Sequence, residues 1–235
     1  SPEASFFWLC QDDGTCLSCL SSHLPSYKRI PSADEGFELF EVAVAQLQPT
    51  QWCVGLAEVK SRQLDFRGQS PKENKKYLKG KPVPLVRNRS GSMWMIDRHH
   101  RLRALLDLDQ DATTYGYVIE NCPAEDDLDS LHLLADRGWL YLYNGRGHGP
   151  LLPQGLPKSL LKLEDDPYRS LAWKLKREGL IRPEPLIPYH EFRWGTWLRS
   201  RALPPFSSKC LEPALPAARS LVRSNAASHL AGWIG

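Results

Sequence analysis

The sequence lacks three features that would each define a protein class at once. No apolar run approaches the roughly 20 residues that a membrane-spanning helix needs. The 30 basic and 27 acidic side chains leave a formal net charge of only +3, which argues against coating of nucleic acid by charge alone but allows a local basic patch. There is also no internal repeat and no heptad pattern. We expect a soluble protein that does not enter a membrane, cytoplasmic or organellar. The start at Ser1 rather than Met leaves open whether a targeting segment precedes it.

The six cysteines do not indicate a disulfide framework. A chain of 235 residues with this many core-forming residues does not need disulfides to be stable. Cys16 and Cys19 are separated by two residues and follow Cys10. No second pair follows at zinc-finger spacing. The sequence predicts free thiols here, and a metal knuckle that recruits His23 is the alternative.

Apolar residues make up 42% of the chain, enough for a sizeable core. The spacing of apolar residues and of Pro and Gly predicts an α+β protein. Strands are predicted over residues 37–44, 82–87, 92–96, 113–119 and 139–143. The two prolines confine strand 82–87 to a sheet edge or a strand start, antiparallel to 92–96. Helices are predicted over residues 52–66, 72–79, from 102 to 108, 126–137, 168–179, 189–201 and 214–230.

These elements predict three parts along the chain. Residues 1–35 have no sustained period and are predicted to form an N-terminal extension. Residues 36–125 hold most of the strands and form the α+β domain. Residues 126–235 form a mostly helical C-terminal region packed on that domain.

The densest group of functional side chains lies where a predicted strand runs into a predicted helix. Asp97 is followed by Arg98, His99, His100, Arg101 and Arg103. The first N–H groups of a helix have no internal partner and attract anions, and Arg adds a planar fork that matches phosphate. The alternative is a plain helix cap by Asp97 with solvated His and Arg side chains.

Residues 97–105, DRHHRLRAL, resemble the phosphate-binding turn of the ParB/sulfiredoxin superfamily. The order of the predicted elements around this turn is also similar. More narrowly, the chain resembles the branch called ParB-like nucleases, through PTQ with VG at residues 49–55, DPYRSLA at 166–172 and EFRW at 191–194. The resemblance runs from about residue 38 to the end and implies a ParB/sulfiredoxin-like mixed sheet with helices, plus the helical C-terminal region.

The resemblance also implies roles for particular residues. Arg98, Arg101, Arg103 and Gln51 would bind phosphate or nucleotide, and Asp97 would position Mg²⁺. Gln51 stands where free-serine kinases of the superfamily carry an acid, and Glu58 is the candidate substitute. His99 stands at the position of the sulfiredoxin cysteine, whose absence argues against that chemistry, and Arg98 replaces a small residue. His99 or His100 would be the acid/base, because an ordinary histidine pKa lies near 6.5.

Three functions follow as hypotheses. The first is an enzyme that transfers or hydrolyses phosphoryl groups on a small-molecule substrate, with ATP or ADP and Mg²⁺ as cofactors. The second is a nuclease or DNA-binding protein, with the lysines of residues 72–81 drawing in nucleic acid. Against it, the sequence shows neither a helix-turn-helix signature nor a two-metal carboxylate cluster. The third is a nucleotide-binding regulator without turnover, suggested by Gln51.

Overall fold

Five short strands form a mixed sheet with the order β1-β6-β4-β5-β2. The structure is a computed structural model that describes residues 27–235. The strands of this sheet are β1 (Phe40–Ala43), β2 (Leu47–Gln48), β4 (Val83–Arg87), β5 (Met93–Met95) and β6 (Thr113–Asn121). A separate parallel pair joins β3 (Cys53–Val54) to β7 (Glu164–Asp165). The predicted α+β class and the antiparallel pairing of β4 with β5 are confirmed.

Seven α-helices surround the sheet in the described part of the chain. They are α1 (Leu56–Arg67), α2 (Pro71–Lys79), α3 (His99–Leu108), α4 (Asp127–Asp136), α5 (Pro167–Arg177), α6 (His190–Arg199) and α7 (Leu215–Arg223). Side chains cap three of them: Ser70 forms a capping box with Glu73 at α2, Asp126 caps α4 and Asp166 caps α5. Helices α3 and α6 have no side-chain cap, and each begins after a residue in the left-handed conformation.

Of the two places predicted for the prolines of β4, the sheet edge is wrong, because β4 lies between β5 and β6. The strand start agrees with the structure, since Pro82 directly precedes β4 and Pro84 is its second residue. Pro84 is opposite Ile96, whose N–H donates to the Pro84 carbonyl at 2.9 Å. The N–H that proline lacks would have faced Ile96, just beyond the end of β5. The sheet tolerates Pro84 because it loses a single bond at the point where β5 leaves the ladder.

Two further predicted elements differ from the structure. The helix predicted from residue 52 begins only at Leu56, because Cys53–Val54 pairs with β7. Gly55 ends that strand so close to α5 that a Cβ would lie 2.8 Å from the Ser170 nitrogen. The strand predicted over residues 139–143 is wrong, since Tyr141 forms only an isolated bridge with Gln51.

The C-terminal region shares its core with the sheet domain. Leu160 and Leu163 are buried in the same cluster as the strands β4 and β5, and Ala57 of α1 packs on the cluster built by α5, α6 and α7. Residues 27–31, predicted as part of an extension, are also packed, since Tyr27 and Ile30 contact the third apolar cluster. The division at residues 35 and 125 therefore does not separate independent cores.

The cysteine predictions are only partly covered by the structure. Cys10, Cys16 and Cys19 lie outside the described residues, whereas Cys53, Cys122 and Cys210 are free thiols. Within residues 27–235, no helix is long and apolar enough to cross a membrane.

Candidate anion site at the start of helix α3

The turn between β5 and α3 leaves the first amides of the helix open. Arg98 adopts φ +77° and ψ +22°, a left-handed conformation that is costly for a residue with a Cβ. Asp97 Oδ1 accepts the Arg98 N–H at 2.7 Å and does not cap the helix, so the plain-cap interpretation is wrong. The first bond of the helix runs from Leu102 N–H to the Arg98 carbonyl. The N–H groups of residues 99–101 have no acceptor among the residues that the structure describes.

Both histidines of this turn are buried and bonded through the same ring atom. His99 Nε2 accepts the Thr50 N–H at 3.0 Å, and His100 Nε2 accepts the Gly55 N–H at 3.0 Å. A neutral imidazole whose Nε2 accepts carries its proton on Nδ1. Each ring therefore has Nδ1–H as its remaining donor, and both residues line one cavity.

The acid/base role predicted for these histidines rested on an ordinary pKa. Burial, reinforced by His100, lowers the pKa of His99 to about 3. Burial also lowers the pKa of His100 to about 3, although Glu58 acts in the opposite direction. Both rings are neutral near pH 7, so the free protein holds no imidazolium here that could serve as a general acid.

Arg101 is the buried cation of this turn, and it has no carboxylate partner among the described residues. Its side chain is only 6% exposed, and its Nε and Nη1 donate to no acceptor. The guanidinium carbon lies 5.2 Å from the centre of the Tyr77 ring. Burial, followed by the neighbouring Arg62 and Arg98, lowers its pKa. A buried guanidinium without a carboxylate partner is costly, and an anion in the cavity would offset that cost.

Glu58 is not a free carboxylate, although the sequence made it the substitute base. Its Oε2 accepts from Arg62 at 2.8 Å and its Oε1 from Arg169 at 3.1 Å. Burial alone would raise the pKa of Glu58, but His100, Arg169 and Arg62 together hold it below its usual range. The ionised group instead compensates two arginines in the cavity wall, and a general base of ordinary pKa is not present at this position.

The structure brings most of the predicted site residues together, with one exception. Gln51, Glu58, Asp97, Arg98, His99, His100 and Arg101 all line the cavity. Arg103 does not, since it binds Asp107 and the carbonyls of Leu160 and Leu163. Gln51 Nε2 is already engaged by the Cys53 carbonyl at 2.8 Å.

Asp97 remains the predicted Mg²⁺ ligand, without support from a preformed cage. Among residues 27–235, no group of three His, Cys, Asp or Glu side chains is placed to hold a metal ion. Asp97 is exposed and has one oxygen engaged by the Arg98 N–H. A Mg²⁺ ion at Asp97 would depend on phosphate and water oxygens for its other ligands.

The cavity has a volume of about 630 Å³, in the range of small-molecule sites. Its second wall comes from α5, α6 and the segment before α6. Arg169 of α5 lies 5.2 Å from the Phe192 ring centre, and Glu191 pairs with Lys176. Tyr189 and Tyr27 add aromatic surface, with their ring centres 6.4 Å apart. The only sequence signal for this wall was the resemblance carried by residues 166–172 and 191–194.

Comparisons with known proteins agree with this architecture. The model of the family described as "Putative ParB-like nuclease" matches residues 40–200, which include the α3 turn, α5 and α6. The crystal structure of protein Atu1540 from Agrobacterium tumefaciens is similar with a TM-score of 0.73 and 28% sequence identity. That alignment covers 84% of this chain and 98% of the other. No curated protein matches the chain.

Proposed function

Since the chain belongs to the ParB-like nuclease family, we propose that its cavity binds the phosphoryl group of a nucleotide and transfers or hydrolyses it. The phosphate would lie at the start of α3, between the open amides of residues 99–101 and Arg101. These donors are fixed before the ligand arrives, as stabilisation of a charged transition state requires. The cavity is also large enough for more of the ligand than a phosphate alone.

The observation that carries this proposal is that Arg101 has no carboxylate partner among the described residues and no acceptor for its Nε and Nη1. Two other cations of the cavity wall have carboxylate partners within the protein: the buried Arg169 binds Glu58, and the half-buried Lys176 binds Glu191. Arg101 instead faces the Tyr77 side chain, which offers its ring and a hydrogen bond but no negative charge. Because a buried charge without compensation is unfavourable, the geometry supports an anionic ligand as the missing partner.

Calorimetric titration with ADP, ATP and CTP, each with Mg²⁺, tests nucleotide binding. We expect micromolar binding to the wild type and a loss of about 10- to 100-fold in Arg101→Gln, since a hydrogen bond to a charged group contributes roughly 1.5–3 kcal/mol. Arg89→Gln is the matched control, because Arg89 is an exposed arginine outside the cavity. Absence of nucleotide binding, or equal losses in both variants, would contradict the proposal.

A second candidate function is action on nucleic acid, favoured by the lysines of α2. Lys72, Lys75, Lys76 and Lys79 are all exposed on this helix. The same helix carries Tyr77, the ring that Arg101 faces. A nucleic-acid backbone that follows the lysines could therefore place one phosphate at Arg101.

The two functions differ in how they depend on salt and on the α2 lysines. A triple variant, Lys72→Gln/Lys75→Gln/Lys79→Gln, leaves Lys76, Tyr77 and Arg101 in place. For a nucleic acid ligand, this variant would weaken binding and reduce its salt dependence, as counterion release predicts. For a nucleotide ligand, the variant would bind like the wild type, and Arg101→Gln alone would lose affinity. Cleavage of single- and double-stranded oligonucleotides by the wild type, absent in Arg101→Gln, would establish the nuclease alternative.

A further inference from the structure

We propose that His99 and His100 bind the phosphate as neutral Nδ1–H donors, and that Thr50 and Gly55 hold both rings in this tautomer. The inference rests on the proposed function for the identity of the ligand. Thr50 becomes a positioning residue. The sequence does not suggest this role, because Thr50 lies far from the α3 turn along the chain. In this role the two histidines are fixed, uncharged hydrogen-bond donors and not an acid/base pair that titrates.

Thr50 specifies the tautomer of His99 through its backbone. Its N–H lies 3.0 Å from His99 Nε2, and its hydroxyl lies 3.3 Å from the same nitrogen. The hydroxyl proton is used elsewhere, because Thr50 Oγ1 donates to the Met95 carbonyl at 2.8 Å. His99 Nε2 must therefore act as the acceptor of the N–H, which leaves the ring proton on Nδ1. Thr50 is 2% exposed, so no solvent competes for this contact.

Gly55 specifies the tautomer of His100 in the same way. Its N–H donates to His100 Nε2 at 3.0 Å. The glycine is held against Ser170 so tightly that an added Cβ would approach the Ser170 nitrogen to 2.8 Å. The donor is therefore fixed by contact between the loop and α5.

The two Nδ1–H groups are available to a ligand. Neither Nδ1 has a hydrogen-bond partner within residues 27–235, and both histidines line the cavity with Arg101. Protonating either ring would place a proton on Nε2, where it would oppose the N–H of Thr50 or Gly55. The charged groups facing His100 are Glu58, Arg169, Arg62 and Glu191, and they already compensate one another within the wall. The α3 turn therefore presents the guanidinium groups of Arg98 and Arg101 together with uncharged N–H donors.

The tautomer is tested directly in the wild type by ¹⁵N NMR of histidine-labelled protein, with His99→Gln and His100→Gln spectra used for assignment. We expect both rings to be neutral at pH 7 with the proton on Nδ1. An imidazolium, or an Nε2–H tautomer, at either position would overturn the inference. This measurement does not require a ligand, so its failure is separate from that of the proposed function.

Amide substitutions test whether the Nδ1–H groups contact the phosphate. Asparagine places its amide near the position of Nδ1, whereas glutamine places it near Nε2. We expect His99→Asn to keep binding of the Mg²⁺–nucleotide within about 3-fold of the wild type and His99→Gln to lose roughly 10-fold, the contribution of one hydrogen bond. Equal affinities in the two variants would overturn the inference even if binding still depends on Arg101. If the wild type binds no nucleotide at all, the proposed function fails and this contact fails with it.

Thr50 variants complete the test of the positioning role. Thr50→Val removes the bond to the Met95 carbonyl that orients the backbone N–H, and Thr50→Ser restores it. We expect Thr50→Val to weaken nucleotide binding several-fold and to broaden or shift the His99 ¹⁵N signals selectively. Thr50→Ser should restore both the affinity and the signals. An unchanged His99 signal in a folded Thr50→Val protein would show that Thr50 does not position the ring.

Discussion

Helices α3 and α6 begin in the same unusual way and face the same cavity. Each starts after a residue in the left-handed conformation, Arg98 with φ +77° and Tyr189 with φ +55°, and neither has a side-chain cap. Each then places a buried histidine at its first position. Each also has a buried arginine in its first turn, Arg101 in α3 and Arg193 in α6.

The two helix starts differ in where their polar groups are bonded. In α6, His190 Nε2 is 2.7 Å from the Ala231 carbonyl, and Arg193 Nε donates to the Pro188 carbonyl at 2.9 Å. In α3, Arg101 Nε and Nη1 have no acceptor. The first amides lack backbone acceptors at both starts, since the first bond of α6 likewise runs from Arg193 N–H to the Tyr189 carbonyl, and His190 Nδ1 has no partner either. Because these features, a left-handed residue and a buried arginine occur at both starts, none of them alone identifies a ligand site. The distinguishing property is the Arg101 guanidinium, whose Nε and Nη1 have no acceptor among the described residues.

The largest effect that we expect is a loss of folding stability in acid, caused by the two histidines at the start of α3. Burial lowers the pKa of both His99 and His100 to about 3 from an ordinary value of 6.5. Below pH 6.5 the unfolded chain takes up protons that the folded rings cannot, so the stability is fully present above pH 6.5 and is lost as the pH falls toward 3. The slope approaches about 1.4 kcal/mol per pH unit for each ring once the unfolded rings are mostly protonated, so the free energy of unfolding should decrease by about 3 kcal/mol between pH 6.5 and pH 5.

Urea unfolding at a series of pH values measures this decrease. The double variant His99→Gln/His100→Gln is the control and should show a much flatter dependence between pH 6.5 and pH 5. A wild type with constant stability over this interval would mean that the two rings are not buried as neutral groups. The α3 start would then resemble an ordinary solvated helix end.

The second prediction is that substitutions of the two buried arginines have opposite effects on stability and on nucleotide affinity. Arg193→Gln should lower the free energy of unfolding by about 1.5–3 kcal/mol, because a charged hydrogen bond to a buried carbonyl is lost. Arg101→Gln should leave the stability unchanged or raise it, since it removes a buried charge without a carboxylate partner. Nucleotide affinity should respond in the opposite order, with a large loss in Arg101→Gln and little change in Arg193→Gln.

Chemical denaturation and calorimetry on the same two proteins provide the measurements. If Arg101→Gln destabilises the fold as strongly as Arg193→Gln, then Arg101 is a structural residue with a partner within the protein. The difference between the two helix starts, and with it the main support for an anion site, would be lost.

Sequence reasoning predicted the α3 side of the cavity well and the opposite side poorly. The cluster at residues 97–103 is local, so charge spacing and the strand-to-helix transition were enough to place it. Even there, Arg103 points away from the cavity, because its position on the helix directs it to the Leu160 and Leu163 carbonyls. The neutral state of His99 and His100 depends on contacts with residues 50 and 55, which composition does not reveal.

The α5 and α6 side depends on contacts across long stretches of sequence. Arg169 meets Glu58 over more than a hundred residues, and no local pattern indicates that pairing. By contrast, the cap of α5 by Asp166 is local, because it depends only on the next three residues. Similarly, the edge prediction for β4 failed because strand order is a property of the whole sheet, whereas the proline pattern is local.

The smallest expected effect concerns the left-handed residue of α3. Arg98→Gly should raise the stability by about 1 kcal/mol relative to Arg98→Ala, because glycine adopts φ +77° without the cost that a Cβ imposes. Both variants remove a guanidinium that lines the cavity, so both should weaken nucleotide binding to a similar degree. Thermal unfolding of the two variants gives the strain, and calorimetry gives the ligand contact. If Arg98→Gly were no more stable than Arg98→Ala, the turn would not be strained, and the arginine at this position would require no compensating role in binding.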